Sequence, residues 1–430
     1  MKRLKMRKTC VTLGVLLLSG LGWAEAAQPD SETIQQLVEQ VKRLQAKVEA
    51  LESKENARAA SAGAPSDATG PATEAVKTGT ADEQASSTSL FEELHDLRGI
   101  QWRGFGEVDY KALNQRNPGL GTYGFVAGSA GNFYTGDFTL LLTSKINDKA
   151  SVLSEMVIEE GDAQSYGINL ERVLLKYDYN DHLKFSFGRY HTNIGYYNTA
   201  YHSGAWLQTA ADRPEILDFA NDGGPLPTQA VGVSVTGTVP SEKLGLNYIF
   251  EYGSSDTKSP NLNGIGFDDE NNGNHVNAGL FARPETVPGL QVGGSVYHDK
   301  ISQFTRGPNV RLGQTIVNGH VVYEAHGWEL LNEGFLIRHS YEQLPIIYNM
   351  PAMYSQVSKR FHKVRPYFRY QYTNANPGSI LADHGLRYGP SFGARYDLDD
   401  YIAFKVQLDR IAQKGQPDVN GLHMQLAYTF

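Results

Sequence analysis

The sequence has almost no cysteine: Cys10 is the only one among 430 residues. A single thiol excludes a disulfide-stapled fold and a metal site built from cysteines. The absence of any run of 18 or more apolar residues excludes a protein that crosses a membrane with helices. The formal net charge of −8 argues against nucleic acid as a partner. None of these absences excludes a membrane β-barrel, whose strands alternate apolar and polar residues.

Motifs of common hydrolases and metalloenzymes are also missing. The sequence contains neither a Gly-x-Ser-x-Gly nucleophile elbow nor a His-Glu-x-x-His zinc motif. His191, His202 and Ser203 leave one enzymatic alternative, a barrel enzyme acting at its rim. That alternative requires an acidic side chain within hydrogen-bonding reach of His202. We predict no enzyme, with no catalytic residue, no metal site and no cofactor.

The N-terminus has the organisation of an export signal. Five basic residues precede the apolar segment 11–22, which is too short to span a bilayer, and Ala24-Glu25-Ala26 is a small-x-small cleavage site. Residues 1–26 therefore predict a signal peptide, and a short anchor helix is the alternative. Because Cys10 lies inside this segment, the predicted mature chain contains no cysteine.

A second segment, 27–55, shows a heptad pattern. Six apolar residues recur at alternating spacings of three and four, which is typical of a coiled coil: Ile34, Leu37, Val41, Leu44, Val48 and Leu51. Three heptads make a weak oligomerisation element, and a single amphipathic helix is the alternative. Residues 56–97, rich in Ala, Ser, Gly and Thr, predict a flexible linker.

From residue 98 to residue 430 the period changes to two, which predicts an all-β domain. Sixteen strands follow from this alternation: 100–113, 132–145, 150–159, 169–179, 183–190, 229–239, 244–252, 275–283, 290–298, 315–325, 328–339, 352–360, 363–374, 388–397, 401–411 and 421–430. Most of them approach the 9–11 residues that a tilted strand needs to cross a bilayer.

The predicted connections alternate in length. Those after odd-numbered strands have 9 to 38 residues, whereas those after even-numbered strands have 2 to 6. An outer-membrane barrel has short periplasmic turns and longer external loops, so this alternation predicts a 16-stranded antiparallel transmembrane β-barrel with its N-terminal segment in the periplasm. A water-soluble all-β protein is the alternative.

The end of the chain resembles that of Gram-negative outer-membrane porins. Residues 421–430 alternate apolar and polar side chains and end on Phe430, which resembles the signal read by the outer-membrane assembly machinery. Sixteen strands behind a short coiled coil resemble the phosphate-selective porin O/P type. The resemblance implies a homotrimer, one pore in each barrel, and a long third external loop folded into the lumen as a constriction.

The longest predicted loop, 191–228, fits that description. Its prolines and the Gly223-Gly224 pair suit a stiff, folded excursion, and its centre is predominantly acidic: Asp212, Arg213, Glu215, Asp218 and Asp222. If large apolar side chains face lipid, a basic wall faces the lumen: Arg172, Lys176, Lys184, Arg365, Arg369, Arg395 and Lys405. An acidic loop opposite this wall would create a transverse field. An external loop and freely solvated charges are the alternatives.

The sequence therefore predicts a porin, a passive diffusion channel for small hydrophilic solutes or ions that are filtered by size and charge. Its expected partners are outer-membrane lipid and, through the coiled coil, peptidoglycan or a periplasmic protein. The alternative is a closed or plugged barrel that acts as a receptor, scaffold or envelope tether. A continuous polar pathway favours the channel, whereas a lumen filled by the loop favours the plug.

Overall fold

The computed structural model describes residues 100–114, 131–160, 166–219, 224–255, 274–303, 310–342, 344–376 and 385–430. The predicted signal peptide, coiled coil and linker, together with Asp222, lie outside these residues. Within the described ranges, no helix is both long enough and apolar enough to span a membrane.

The described chain forms a closed barrel of sixteen antiparallel strands. They are β1 Ile100–Leu113, β2 Asn132–Thr135 with Phe138–Lys145, β3 Ala150–Glu160, β4 Tyr166–Asn180, β5 Leu183–His191, β6 Gln229–Val239, β7 Leu246–Ser255, β8 His275–Ala282, β9 Leu290–Gln303, β10 Val310–Ala325, β11 Trp328–Tyr341, β12 Ile347–Lys359, β13 Val364–Asn374, β14 Leu386–Asp397, β15 Ile402–Gln413 and β16 Val419–Thr429. The two segments of β2 both pair with β1, so they form one interrupted strand. The barrel closes where β1 pairs with β16, with Gly106 opposite Tyr428.

All sixteen predicted strands are confirmed, and 229–239 has the predicted bounds. Several strands run further than predicted: β10 begins at Val310 and β12 at Ile347. The ladder between β9 and β10 continues to the pair Gln303 and Val310, because backbone hydrogen bonds continue beyond the clear apolar alternation. The predicted strict alternation of long and short connections is consequently wrong, since connection 342–346 is no longer than 240–245.

The barrel has its apolar residues outside and its polar residues inside. On β13, Phe368 and Tyr370 are exposed at 46% and 37%, whereas Arg369 and Gln371 between them are exposed at 0% and 3%. This arrangement reverses that of a water-soluble protein and matches a barrel surrounded by lipid. Polar side chains from every part of the ring therefore point to the same interior.

Candidate functional site

The described residues of the longest connection, 192–219 and 224–228, lie inside the barrel. They form one short helix, α1 Tyr197–Ala200, and two 3-10 turns, Ala205–Leu207 and Glu215–Leu217. Most of its described residues are buried, and their hydrogen bonds reach inward side chains of strands around the ring. We call this segment the internal loop. The loop therefore does not lie outside the barrel as a cap.

One side of the internal loop packs on an apolar part of the inner wall. Ile194, Ile216 and Leu217 are buried together with wall residues of β9 to β12, among them Phe335 and Met350. This apolar patch on the inner wall stabilises the docked loop, because each buried aliphatic side chain contributes about 1.5–3 kcal/mol.

Carboxylates on the same side accept the loop's hydrogen bonds. Glu333 accepts the backbone N–H groups of Tyr196 (2.6 Å) and Tyr197 (2.9 Å), and the Tyr354 hydroxyl (2.7 Å). Gly195, with φ +86°, makes this approach feasible, because a Cβ there would lie 2.4 Å from Glu333 Oε2. The loop backbone is thereby fixed to the wall by a side chain far away in sequence.

Three further carboxylates extend this surface. Glu251 accepts the Asn193 N–H (3.1 Å), and Glu324 accepts the Tyr201 hydroxyl (2.5 Å). Glu329 accepts the Thr209 hydroxyl at 2.8 Å. We call these residues the acidic side: Glu251, Glu324, Glu329 and Glu333. No sequence motif singles them out, although strand alternation alone places Glu251 inward.

Basic side chains hold the internal loop from another part of the ring. Arg369 Nη1 donates to Asp212 O (2.7 Å), Arg395 Nη1 to Gln208 O (3.0 Å), and Lys405 Nζ to Ala210 O (3.1 Å). The predicted wall residues thus contact the loop mainly through its backbone carbonyls.

The loop's carboxylates pair with basic residues that the sequence analysis did not select. Asp212 lies 2.8 Å from Lys111 Nζ and 3.0 Å from His423 Nδ1. Burial alone would raise the pKa of Asp212, but the charges of His423 and Lys111 outweigh burial and hold that pKa well below its usual value. Glu215 pairs with Arg387 at 3.0 Å. Burial raises the pKa of Glu215, and Arg387 opposes this shift.

We call the residues that contact the loop from this direction the basic side: Lys111, Arg369, Arg387, Arg395 and Lys405. They come from β1, β13, β14 and β15. β15 lies half-way around the ring from β7, which carries Glu251. The internal loop thus lies between an acidic and a basic surface, and the acidic surface belongs largely to the wall and not to the loop.

The other predicted residues have different environments. Arg365 donates to Glu329 (3.0 Å) and to the Thr209 hydroxyl (3.2 Å), so it joins the acidic side to the loop. Arg213 is buried within the loop, where it donates to Leu217 O at 2.7 Å. Asp218 is buried as well.

Of the three basic residues predicted to face the loop from β4 and β5, only Arg172 contacts its described residues. Arg172 pairs with Glu155 and donates to the Ser203 hydroxyl at 3.1 Å. Lys176 is exposed, and Lys184 has its carboxylate neighbour, Asp181, at 4.0 Å in the short turn. The prediction placed Lys176 and Lys184 opposite the loop, but both lie close to the turn at 181–182. Strand alternation predicts whether a side chain points inward or outward, but not where it lies along the barrel axis relative to the loop.

A third contact region involves histidines. His202 Nε2 lies 3.3 Å from Glu171 Oε2, so an acid is within reach, as the rim-enzyme alternative requires. Burial lowers the pKa of His202 well below its usual value, and the charge of Arg213 adds to this effect. However, the Ser203 hydroxyl accepts a hydrogen bond from Arg172. Within the described residues it makes no hydrogen bond to His202, so the nucleophile–base contact of a hydrolase is not seen there.

Phe430 lies at the barrel seam. Its backbone N–H donates to Gly104 O (3.1 Å), and Gly104 N–H donates back to Phe430 O (3.0 Å). Its ring stacks on Phe138 with centroids 5.9 Å apart. A Cβ at position 104 would lie 2.1 Å from that ring, so glycine makes room for it. The terminal residue therefore completes barrel closure, and its role as an assembly signal stays a prediction.

Comparison with solved structures identifies the same architecture in outer-membrane porins and channels. The outer membrane channel DcaP of Acinetobacter baumannii has a TM-score of 0.53 at 12% identity, covering 78% of this chain and 100% of that chain. An anion-selective porin from Comamonas acidovorans has a TM-score of 0.50 at 10% identity, covering 77% and 99%. The trimer form of OmpT from Vibrio cholerae has a TM-score of 0.50 at 12% identity, covering 77% and 99%.

No protein-family model and no curated protein sequence matches this chain. The similarity to solved structures is therefore one of architecture: the chain has the fold of an outer-membrane porin.

Proposed function

We propose that this protein is a porin of the bacterial outer membrane that conducts small hydrophilic solutes or ions and filters them by size and charge. The N-terminal segment would lie in the periplasm, where its coiled coil could contact peptidoglycan or a partner protein. A homotrimer, with one pore in each barrel, agrees with the trimer form described for the structurally similar OmpT.

The observation that carries this proposal is the position of the internal loop between the acidic and basic sides. The described hydrogen bonds of Lys405 go to uncharged oxygens of Ala205, Ala210 and Gln425. Glu333 accepts only uncharged donors among its described partners. Charges with neutral partners at opposite sides of a narrow lumen support a transverse field, which orients dipolar solutes.

A specific observation favours a second candidate, the plugged barrel. The internal loop contacts wall residues in three directions: Glu333 on β11, Lys405 on β15 and Glu171 on β4. A channel whose loop spans the lumen should conduct weakly. A plugged receptor or tether should not conduct at all.

The deciding experiment is to record current through the purified protein in a planar bilayer under a salt gradient. A porin gives small conductance steps in groups of three, and its reversal potential gives the preferred ion sign. A barrel that inserts and stays silent overturns the channel and supports the plug.

The charge filter has its own test. Removing two guanidinium groups in the double variant Arg365→Ala with Arg369→Ala should shift the reversal potential toward cation preference. The matched control is Arg338→Ala, whose side chain is exposed on β11. A reversal potential that is the same in both variants excludes Arg365 and Arg369 from the filter.

A further inference from the structure

Three buried side chains from three separate elements meet where the internal loop contacts β4 and β5. The Glu171 carboxylate and the imidazole nitrogens of His191 and His202 all lie within 4.8 Å of one another. Two of these separations are 3.3 Å, from His202 Nε2 to Glu171 Oε2, and 4.0 Å, from His191 Nε2 to the same oxygen. Because the three residues belong to β4, the end of β5 and the loop, no sequence motif reveals the cluster.

The hydrogen bonds around His202 assign its proton. Asn198 Nδ2 donates to Thr192 O (2.9 Å) and to Thr228 O (3.1 Å), which turns Asn198 Oδ1 toward His202 Nδ1 at 3.1 Å. His202 Nδ1 must therefore carry the hydrogen, and the lone pair of Nε2 faces Glu171. Two acceptors at 3.3 Å repel each other unless a proton or a cation lies between them.

His191 provides the second observation. Its Nε2 atom is buried and makes no hydrogen bond within the described part of the chain. It points into the same space, 3.6 Å from Glu155 Oε2 and 4.0 Å from Glu171 Oε2. Leaving a buried polar atom unsatisfied costs about 1–3 kcal/mol, so a ligand that satisfies it is favoured.

We propose that Glu171, His191 and His202 bind a divalent transition-metal ion, with zinc as the expected ion. The bound ion would fasten the internal loop to the barrel wall. Two imidazoles and one carboxylate form a common zinc donor set that leaves a fourth position for water. This site is independent of whether the barrel conducts.

The geometry requires only a small adjustment. Three atoms within 4.8 Å of one another can share an ion within about 2.8 Å of each, and zinc bonds of about 2.0–2.2 Å require movements below 1 Å. The imidazoles of His191 and His202 are stacked at 3.5 Å between centroids, so at least one ring must tilt toward the ion.

The charges around the site set the expected affinity. Arg172 pairs with Glu155, and Glu171 Oε1 accepts a hydrogen bond from Asn169 Nδ2, so Oε2 is the oxygen left for the ion. Arg189, Arg172 and Arg213 lie close enough to act on Glu171, and their charges oppose a cation. We therefore expect micromolar and not nanomolar affinity for zinc.

The test is isothermal titration of zinc into the untagged, full-length protein in detergent after treatment with a chelator. We expect one ion per chain, and zinc-edge X-ray absorption should show two histidines and oxygen ligands. His202→Asn and Glu171→Gln should each lower the affinity by about tenfold or more. Glu171→Gln keeps the side-chain shape, so it remains informative if the histidine variant fails to fold.

The matched control is His339→Asn, which alters a buried strand histidine bonded to Gln314 outside the cluster. Equal affinity in this control and in the unaltered protein, together with loss in Glu171→Gln, supports the site. No stoichiometric binding, or binding that is the same in all variants, overturns it. Because binding is measured without current, this result does not depend on the bilayer experiment.

Discussion

The internal loop has two very different contact surfaces, and the difference between them separates stability from selectivity. Toward β9–β12 it buries aliphatic and aromatic side chains and gives backbone N–H groups to Glu333. Toward β13–β16 and β1 it presents backbone carbonyls and carboxylates to charged side chains, among them Lys405 and Arg387. The first surface resembles a protein core, whereas the second resembles a polar interface.

Because the two surfaces consist of different contacts, each can be altered by its own substitutions. Apolar burial stabilises the docked loop without acting on a passing ion, so the β9–β12 surface should contribute most to whether the loop is docked. Charged contacts act on passing ions as well as on the loop, so the charged side chains on both sides should decide which ions pass. Each prediction below changes one kind of contact, and docking and selectivity are measured separately.

The largest effect should come from a cavity in the apolar surface. Leu217 is exposed at 0%, and Leu217→Ala should weaken loop docking by about 2–5 kcal/mol. A cysteine replacing Ala210, exposed at 1%, reports docking through its labelling rate, because Cys10 is the only native cysteine and lies in the predicted signal peptide. Labelling should become faster and conductance larger.

The same substitution on the outer face is the control for Leu217→Ala. Leu336 is exposed at 44%, so Leu336→Ala should leave both labelling and conductance unchanged. Equal labelling rates in the two variants would show that the apolar surface does not hold the loop.

A smaller effect on the same surface should come from Gly195→Ala. The new Cβ would meet Glu333 Oε2 at 2.4 Å, and φ at this position is +86°. We expect a cost of about 1–3 kcal/mol, measured by the same labelling reporter. Gly385→Ala carries the same backbone penalty, at φ +77°, but meets no atom within 4 Å. Equal labelling rates in the two variants would show that Gly195 is not needed to make room for Glu333.

The barrel was predictable from local sequence patterns, and the place of the loop inside it was expected only from the resemblance to porins; the individual contacts of the loop were not predictable. Alternation over 401–411 predicts a strand and the inward direction of Lys405, because that pattern is local. The contact between Lys405 and Ala210 depends on barrel closure and on the path of the loop, which no local pattern contains. Lys176 shows the same limit, since its direction was predictable but its height relative to the loop was not. The pair of Asp212 with Lys111 joins residues that only closure brings together.

On the charged surface, the strongest contact should be that of Asp212. Its depressed pKa means that its contribution to docking is present above the usual carboxyl pKa of about 3.9 and is lost only as the pH falls below that value. Asp212→Asn should speed labelling of the Ala210→Cys reporter by about tenfold, because charge-assisted hydrogen bonds contribute about 1.5–3 kcal/mol.

The pH dependence makes the Asp212 prediction sharper. The ratio of labelling rates with and without Asp212→Asn should stay constant from pH 8 to pH 5, after each rate is corrected for the thiol ionisation measured in the same variant. A ratio that falls toward one at pH 5 would mean that Asp212 is already protonated there, which contradicts its ion pairs with Lys111 and His423.

The smallest effects should be opposite shifts in selectivity from the two charged sides. A unit charge about 6 Å from a passing ion contributes about 3 kcal/mol at an effective dielectric constant of about 20, before screening by salt. Lys405→Gln removes a positive charge and should lower the anion-to-cation permeability ratio by about fivefold. Glu329→Gln removes a negative charge, releases Arg365 from its ion pair, and should raise that ratio.

Matched controls separate local charge from net charge in these two variants. Lys414→Gln and Glu342→Gln make the same changes at exposed positions outside the strands and should leave the reversal potential unchanged. Shifts of equal sign in Lys405→Gln and Glu329→Gln would refute a transverse field, because a field with two poles must respond in opposite directions. Opposite shifts with unchanged reporter labelling would show that Lys405 and Glu329 act on passing ions and not on docking of the loop.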